Sequence, residues 1–142
     1  MAEGEVVVRG AADGFVQEIT AGSHQLRSDE PASVGGTDAG PTPYDLLLAA
    51  LGSCTSMTIA MYARRKQWPL SNVTIRLRHS RVHAEDCAAC ETHEARLTVL
   101  ECAIELDGAL DETQRERLLA IAKRCPVHLT LASRIELNTR LV

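Results

Sequence analysis

The segment PYDLLLAALGSCTSMTIAMYARR, Pro43 to Arg65, limits what this chain can become more than any other. Thr42 precedes Pro43, and Asp45 follows three residues after Thr42, which is the hydroxyl, proline and acid of a helix start. Arg64, Arg65 and Lys66 suit the negative end of the helix dipole, and Pro69 stops any continuation. The segment therefore predicts a helix of about six turns. Leu46, Leu47, Leu48, Ala49, Ala50, Leu51, Met57, Ile59, Ala60 and Met61 cover more than one stripe of it. Such a helix must be surrounded by protein, from its own domain or from a second subunit.

The remaining pattern is mixed. EVVVRG, GFVQEIT and SHQLRSD are short runs separated by Gly and Asp, and they predict an antiparallel meander. EPASVGGTDAGPTP is a loop of the length that often lines a site. NVTIRLRHSRVH alternates Val73, Ile75 and Leu77 with polar residues, as a half-buried strand does. RLTVLECAIELDG predicts its partner, with a change of phase near Leu100 and Glu101 that suggests a bulge. DETQRERLLAIAKRC opens on an acid cap and predicts a second helix ending at Pro126, and RIELNTRLV should return to the sheet. The order gives an α+β class, and 142 residues without an internal repeat are expected to form a single domain over 1–142. Apolar residues make up 45% of the chain and aromatics 3%, so aliphatic side chains must build its core.

A net charge of −4 with scattered cations excludes nucleic acid as a partner class. MAEGEVVVRG has neither the basic start nor the apolar run of an export signal, and no run of about 18 apolar residues suggests a span. A cytoplasmic protein with no membrane partner is expected. Five cysteines, Cys54, Cys87, Cys90, Cys102 and Cys125, then make a framework of structural disulfides a poor reading.

Cys54 lies mid-helix among Gly52, Ser53, Thr55 and Ser56, whose small size permits close approach of another backbone. Cys125 lies at the end of the second helix, within reach of it on a favourable fold. Buried free cysteines are also common as small core hydrophobes, and spacing alone favours that bland reading. Cys102, between strand apolar residues, reads as core, and His128 as a neighbour of Cys125 or a surface residue. A second cluster joins His79, His83, Cys87, Cys90 and His93. It has the ligand types for tetrahedral zinc or a separate dithiol, yet a polar hairpin carrying them is the plainer reading, and no metal is assigned.

GPTPYDLLLAALGSCTSMTIAMYA, followed downstream by RLLAIAKRCPVH, resembles the paired cysteine motifs of the OsmC/Ohr family, and its broader OsmC-like branch more than Ohr proper. The resemblance covers nearly the whole chain. It implies antiparallel sheets with a long buried central helix and a second helix, in an intertwined homodimer whose partner sheathes the apolar helix. It also implies thiol-dependent reduction of organic hydroperoxides. Cys54 would be the residue attacking the peroxide and Cys125 the one that closes a disulfide, with a dithiol reductant resetting the pair and no metal, haem or flavin cofactor. In the Ohr branch an arginine from the early strands and a glutamate after the helix-start proline keep the first thiol ionised. Here Tyr44 stands at the glutamate position with Asp45 next to it, and Arg27 or Arg9 is the candidate arginine by location. For these the plain readings are a capping acid and solvated strand arginines. The alternative function on the same fold is non-enzymatic: binding or redox sensing for a hydrophobic small molecule or a metal.

Overall fold

The computed structural model describes residues 3–83 and 96–142. They form two compact units, Met1–Leu47 and Leu48–Val142, whose boundary falls inside the long helix.

In the first unit, β1 (Val6–Gly10), β2 (Gln17–Ala21) and β3 (His24–Ser28) form the expected antiparallel meander. Gly22 opens the two-residue turn between β2 and β3 at φ +61°, on the left-handed side that this kind of tight turn favours. The register pairs Val8 with Ile19 and Ile19 with Leu26, so these apolar residues share one face. Arg9, Glu18 and Arg27 line up across the other.

The loop after β3 is organised by Asp29, which nothing in its neighbours along the chain singles out. It is only 1% exposed. One carboxylate oxygen accepts from the Thr37 hydroxyl at 2.6 Å and from the Thr37 and Ala39 amides at 3.0 Å each, and the other accepts from Glu30 N at 2.8 Å. These bonds, the Thr37 hydroxyl's foremost, hold the carboxyl down to about 2. Asp29 N and Ser28 Oγ both donate to the Pro41 carbonyl, which returns the loop to the end of β3 and delivers Thr42 to the next helix.

Helix α1 spans Pro43–Arg65, as its capping residues foretell. The Thr42 hydroxyl accepts from Asp45 N at 3.1 Å, and the Asp45 carboxylate accepts from Thr42 N at 3.0 Å. The helix ends before Pro69, because Gln67 turns left-handed at φ +57°. Trp68 N then donates to the Ala63 carbonyl and Gln67 N to that of Arg64, the paired bonds of a Schellman stop. Among the described residues α1 is the one helix long and apolar enough to cross a membrane. Within the chain it buries one stripe: Leu48, Leu51, Gly52, Thr55, Ile59 and Ala63. Met57 on its other side is 70% exposed, so a helix enclosed all round is not what a single chain provides.

The second unit carries β4 (Leu70–His83) and β5 (Arg96–Gly108), an antiparallel pair. The expected bulge near Leu100 is absent, since Leu100 pairs with His79 and Glu101 with Arg78 in regular register. The irregularity falls between Leu70 and Asn72, where the hydroxyl of the intervening Ser71 bonds the Asp107 carbonyl. Phase change in the sequence had marked a switch in side-chain type, not an extra residue.

Helix α2 (Glu112–Ala122) starts on a full capping box between Asp111 and Gln114. Ile59 and Ala63 of α1 meet Leu118 and Ala122 of α2 in the core, flanked by Val73 from β4 and by Ile104 and Leu106 from β5. Two expectations fail beyond this point. Cys125 does not end the second helix; it caps a third, α3 (Pro126–Leu131), because a proline that cannot continue a helix is well suited to begin one. The C-terminal segment from Arg134 onward does not join a sheet. Its alternation is intact, but Leu137 is 84% exposed, and period two without a ladder partner does not make a strand.

Candidate functional site: a thiol pair

The structure brings Cys54 and Cys125 together, and both are free thiols. Cys54 is half-buried near the middle of α1, while Cys125 is fully enclosed at 0% exposure. The adjacent Thr55 joins them: its Oγ1 lies 3.5 Å from Cys125 Sγ and donates to the Leu51 carbonyl at 2.8 Å. Ser53 and Thr58 bond back to the Ala49 and Cys54 carbonyls in the same way, so this apolar helix leaves these hydroxyls satisfied.

The chain after α2 positions Cys125. Arg124 N and Cys125 N donate to the Ile121 and Ala122 carbonyls, which closes α2, and the backbone then becomes extended at Cys125. Its sulfur takes the place of a capping oxygen and accepts from His128 N at 3.2 Å. Burial pushes this thiol up, but its bonding with the Thr55 hydroxyl and the His128 amide, with lesser contributions from Cys54 and the Val127 amide, outweighs it, and the thiol sits below its ordinary value.

Cys102 is not the core residue its neighbours suggested, because it is exposed. It sits opposite Leu77 in the ladder and two places from the core residue Ile104. Burial of its surroundings, and after that the charge of Cys125, push its thiol up. His128, read from the sequence as a neighbour of Cys125 or a surface residue, meets Cys125 through its backbone amide.

Asp45 is engaged in the α1 cap. Arg27 and Arg9 are exposed on β3 and β1, each opposite Glu18. His79 lies on β4 opposite Leu100, and the backbone of β4 reaches His83, whereas Cys87, Cys90 and His93 lie outside the described residues. Among the described residues no three His, Cys, Asp or Glu side chains gather to hold a metal. Thr55 is the site residue that sequence reasoning passed over. The available signal was a hydroxyl immediately after the cysteine, read only as a small residue.

A sheet-and-helix unit that sets a half-buried helical cysteine against a second, buried and hydrogen-bonded one defines a dithiol protein. The family model described as OsmC-like protein matches residues 36–140, and the chain belongs to that family. No curated protein matches it. Among solved structures, an OsmC-like protein from Mycoplasma pneumoniae superposes with a TM-score of 0.70 at 20% identity, over 90% of this chain and 86% of that one. An organic hydroperoxide resistance protein OsmC from Legionella pneumophila gives 0.65 at 20%, over 89% and 87%. An organic hydroperoxide resistance protein from Elizabethkingia anophelis, with thiocyanate bound, gives 0.66 at 16%, over 92% and 89%. At these identities the likeness establishes the OsmC fold.

Proposed function

We propose that this protein reduces organic hydroperoxides through Cys54 and Cys125. The observation that carries the reading is the pair itself, Cys54 and Cys125 brought together beside Thr55 within the stretch matched by the family model. The names of the Legionella and Elizabethkingia neighbours support the substrate class.

In the proposed cycle the Cys54 thiolate attacks one peroxide oxygen, the O–O bond breaks, and the alkoxide takes a proton to leave as an alcohol. Cys54 is then a sulfenic acid. Cys125 attacks its sulfur, hydroxide leaves as water after protonation, and a disulfide forms. An external dithiol returns two electrons by exchange. Arg27 and Asp45 stay in the reading as supporting groups for Cys54.

A homodimer is part of the same proposal. The open face of α1 at Met57 and Met61, and a C-terminal segment with exposed Leu137 and Leu141, are apolar surface that a second copy would cover. Sedimentation equilibrium should give twice the chain mass, and a monomer at micromolar concentration refutes this part. A cytoplasmic setting is part of the same proposal.

The test of the chemistry is the intact mass of reduced protein after stoichiometric cumene hydroperoxide, for wild type and Cys125→Ser, with a sulfenic-acid trap present. Wild type should lose two hydrogens, mapped to a Cys54–Cys125 bond, and the variant should carry the trap on Cys54. If both stay reduced where a control thiol peroxidase is oxidised, the peroxidase reading is wrong.

A further inference from the structure

We infer that the junction of α1 and α2 carries a second site, outside the thiol pair, where the Arg117 guanidinium, the Lys66 ammonium and the Tyr62 hydroxyl bind a phosphate group, as the free ion or on a small molecule. This does not rest on the peroxidase reading.

Tyr62 is the centre of the cluster. It is half-buried on α1 and packs against the core that α1 shares with α2, and its hydroxyl oxygen accepts from Arg117 Nε at 2.9 Å. The guanidinium carbon stands 5.4 Å from the ring centroid, and the Lys66 ammonium, one helical turn on from Tyr62, stands 5.8 Å from it. Arg124, just past the end of α2, adds its charge. The Arg117 bond foremost, and then these cations, hold the phenol below its ordinary value although partial burial pushes it up.

No carboxylate among the described residues balances these charges, since the one ion pair there is Arg76 with Glu105, on the sheet. The positions three and four residues either side of Arg117 are Thr113, Gln114, Ala120 and Ile121; those before Lys66 are Ala63 and Tyr62, and those before Arg124 are Ile121 and Ala120. The chain as a whole has 19 acids against 15 Lys and Arg, so composition does not account for the gathering of cations. The dipoles of α1 and α2 explain Lys66 and Arg124 at the helix ends, but Arg117 stands in the middle of α2, beyond the reach of either terminus.

The donors left over define the ligand. Arg117 commits Nε to the phenol, which leaves its two terminal nitrogens as a fork, and Tyr62, accepting through its oxygen, keeps its own proton to donate. Lys66 and Arg117 are exposed, and the flexible stem of Lys66 lets its ammonium close on an anion held at the fork. Fork, hydroxyl and ammonium match a group with three acceptor oxygens and nearly two negative charges, which describes a phosphate and not a carboxylate.

Trp68 is the only tryptophan of the chain, and its ring stands edge-on to Tyr62 with centroids 5.6 Å apart, so its emission reads this site. The test titrates the full chain at neutral pH and constant ionic strength with inorganic phosphate, phenyl phosphate and acetate. A phosphate should saturate the change in Trp68 emission where acetate does not; saturation by inorganic phosphate assigns the site to the free ion, and saturation by phenyl phosphate alone assigns it to an ester with an aromatic body. Arg117→Gln should weaken that binding about tenfold, and Arg117→Lys, which keeps the charge without the fork, about threefold. Arg76→Gln, on the sheet, should leave it unchanged, with circular dichroism checking each fold. No saturable response to either phosphate, an equal response to acetate, an affinity that Arg117→Gln leaves unchanged, or one that Arg76→Gln lowers as much, overturns the inference. Oxidation of the thiols by hydroperoxide, or its failure, bears on none of these outcomes.

Discussion

At Gly52, two residues before Cys54, α1 lies close against Leu77 of β4, and replacing the glycine tests how tightly the site is built. A Cβ on Gly52 would lie 2.7 Å from Leu77 Cδ1 and 3.8 Å from Leu77 Cδ2 and Cγ. Carbon atoms in contact prefer about 3.5–4.0 Å, so the Leu77 methyl must retreat by about 1 Å. Alanine in a helix interior gains about 1 kcal/mol over glycine, while overpacking a core costs about 1–3 kcal/mol. The atom struck is the end of a flexible side chain, but it lies between a helix and a sheet, which leaves Gly52→Ala a net loss of about 1 kcal/mol. Leu77→Val, which lacks the clashing methyl, should lose about 1 kcal/mol alone by analogy with other single-methylene truncations. Together they should be close to wild type, because the clash disappears while the helix gain stays. That is a coupling of about 2 kcal/mol in a double-mutant cycle measured by urea unfolding. A stabilised Gly52→Ala protein, or additivity within about 0.5 kcal/mol, would refute the close approach.

Three further outcomes follow from the same geometry. Asp29 has its folded carboxyl at about 2, below the usual 3.8, so the stability it contributes is complete above the unfolded value and is lost as pH falls through the folded one. Asn at this position cannot accept on both sides, so Asp29→Asn should lower Tm at neutral pH and flatten the fall in Tm between pH 4 and 2; an unchanged slope would sink this account of the loop. Leu118, fully buried against Ile59, Ala63 and Ala122, should cost about 2–5 kcal/mol when cut to Ala, and a loss below about 1 kcal/mol in chemical unfolding would mean that the core lies elsewhere. Cys102 is exposed, but the partial desolvation of its thiol and then the charge of Cys125 push it up, so it should react with iodoacetamide at pH 7 more slowly than a model peptide thiol and faster in Cys125→Ser; equal rates in the two proteins would remove the electrostatic link between these thiols.

What the sequence made legible was whatever depends on neighbouring residues. Thr42, Pro43 and Asp45 announce the start of α1 because a cap is satisfied within four residues, and Asp111 announces α2 for the same reason. The meander and the β4–β5 pair follow from alternation and turns. The losses are of another kind. Asp29 looks like any loop acid, and only the folded-back path of Thr37 and Ala39 turns it into a buried anchor. Pro126 carries a stop and a start signal in one residue, and the choice between them rests on where the Cys125 sulfur finds amides. Ile135, Leu137, Thr139 and Leu141 have the period of a strand, but strand formation is decided by a partner, about which period says nothing.

The same distinction explains why the cysteine pair was easier to find than its chemistry. Motif context gave the two positions, and the fold brings them together, yet the surroundings of Cys125 are built from groups that leave no mark as motif. Thr55 faces Cys125 because it belongs to the buried stripe of α1, one position on from Cys54 and about 100° around the helix from it. The amides that complete the cradle belong to residues 127 and 128, and any side chain there would offer the same N–H, proline excepted. Sequence comparison weighted on side chains therefore directs attention to Cys54, whereas backbone geometry concentrates the donors on Cys125. In a thiol pair assembled in this way access and hydrogen bonding are divided: Cys54 is the more accessible sulfur, and the donors gather around the buried one.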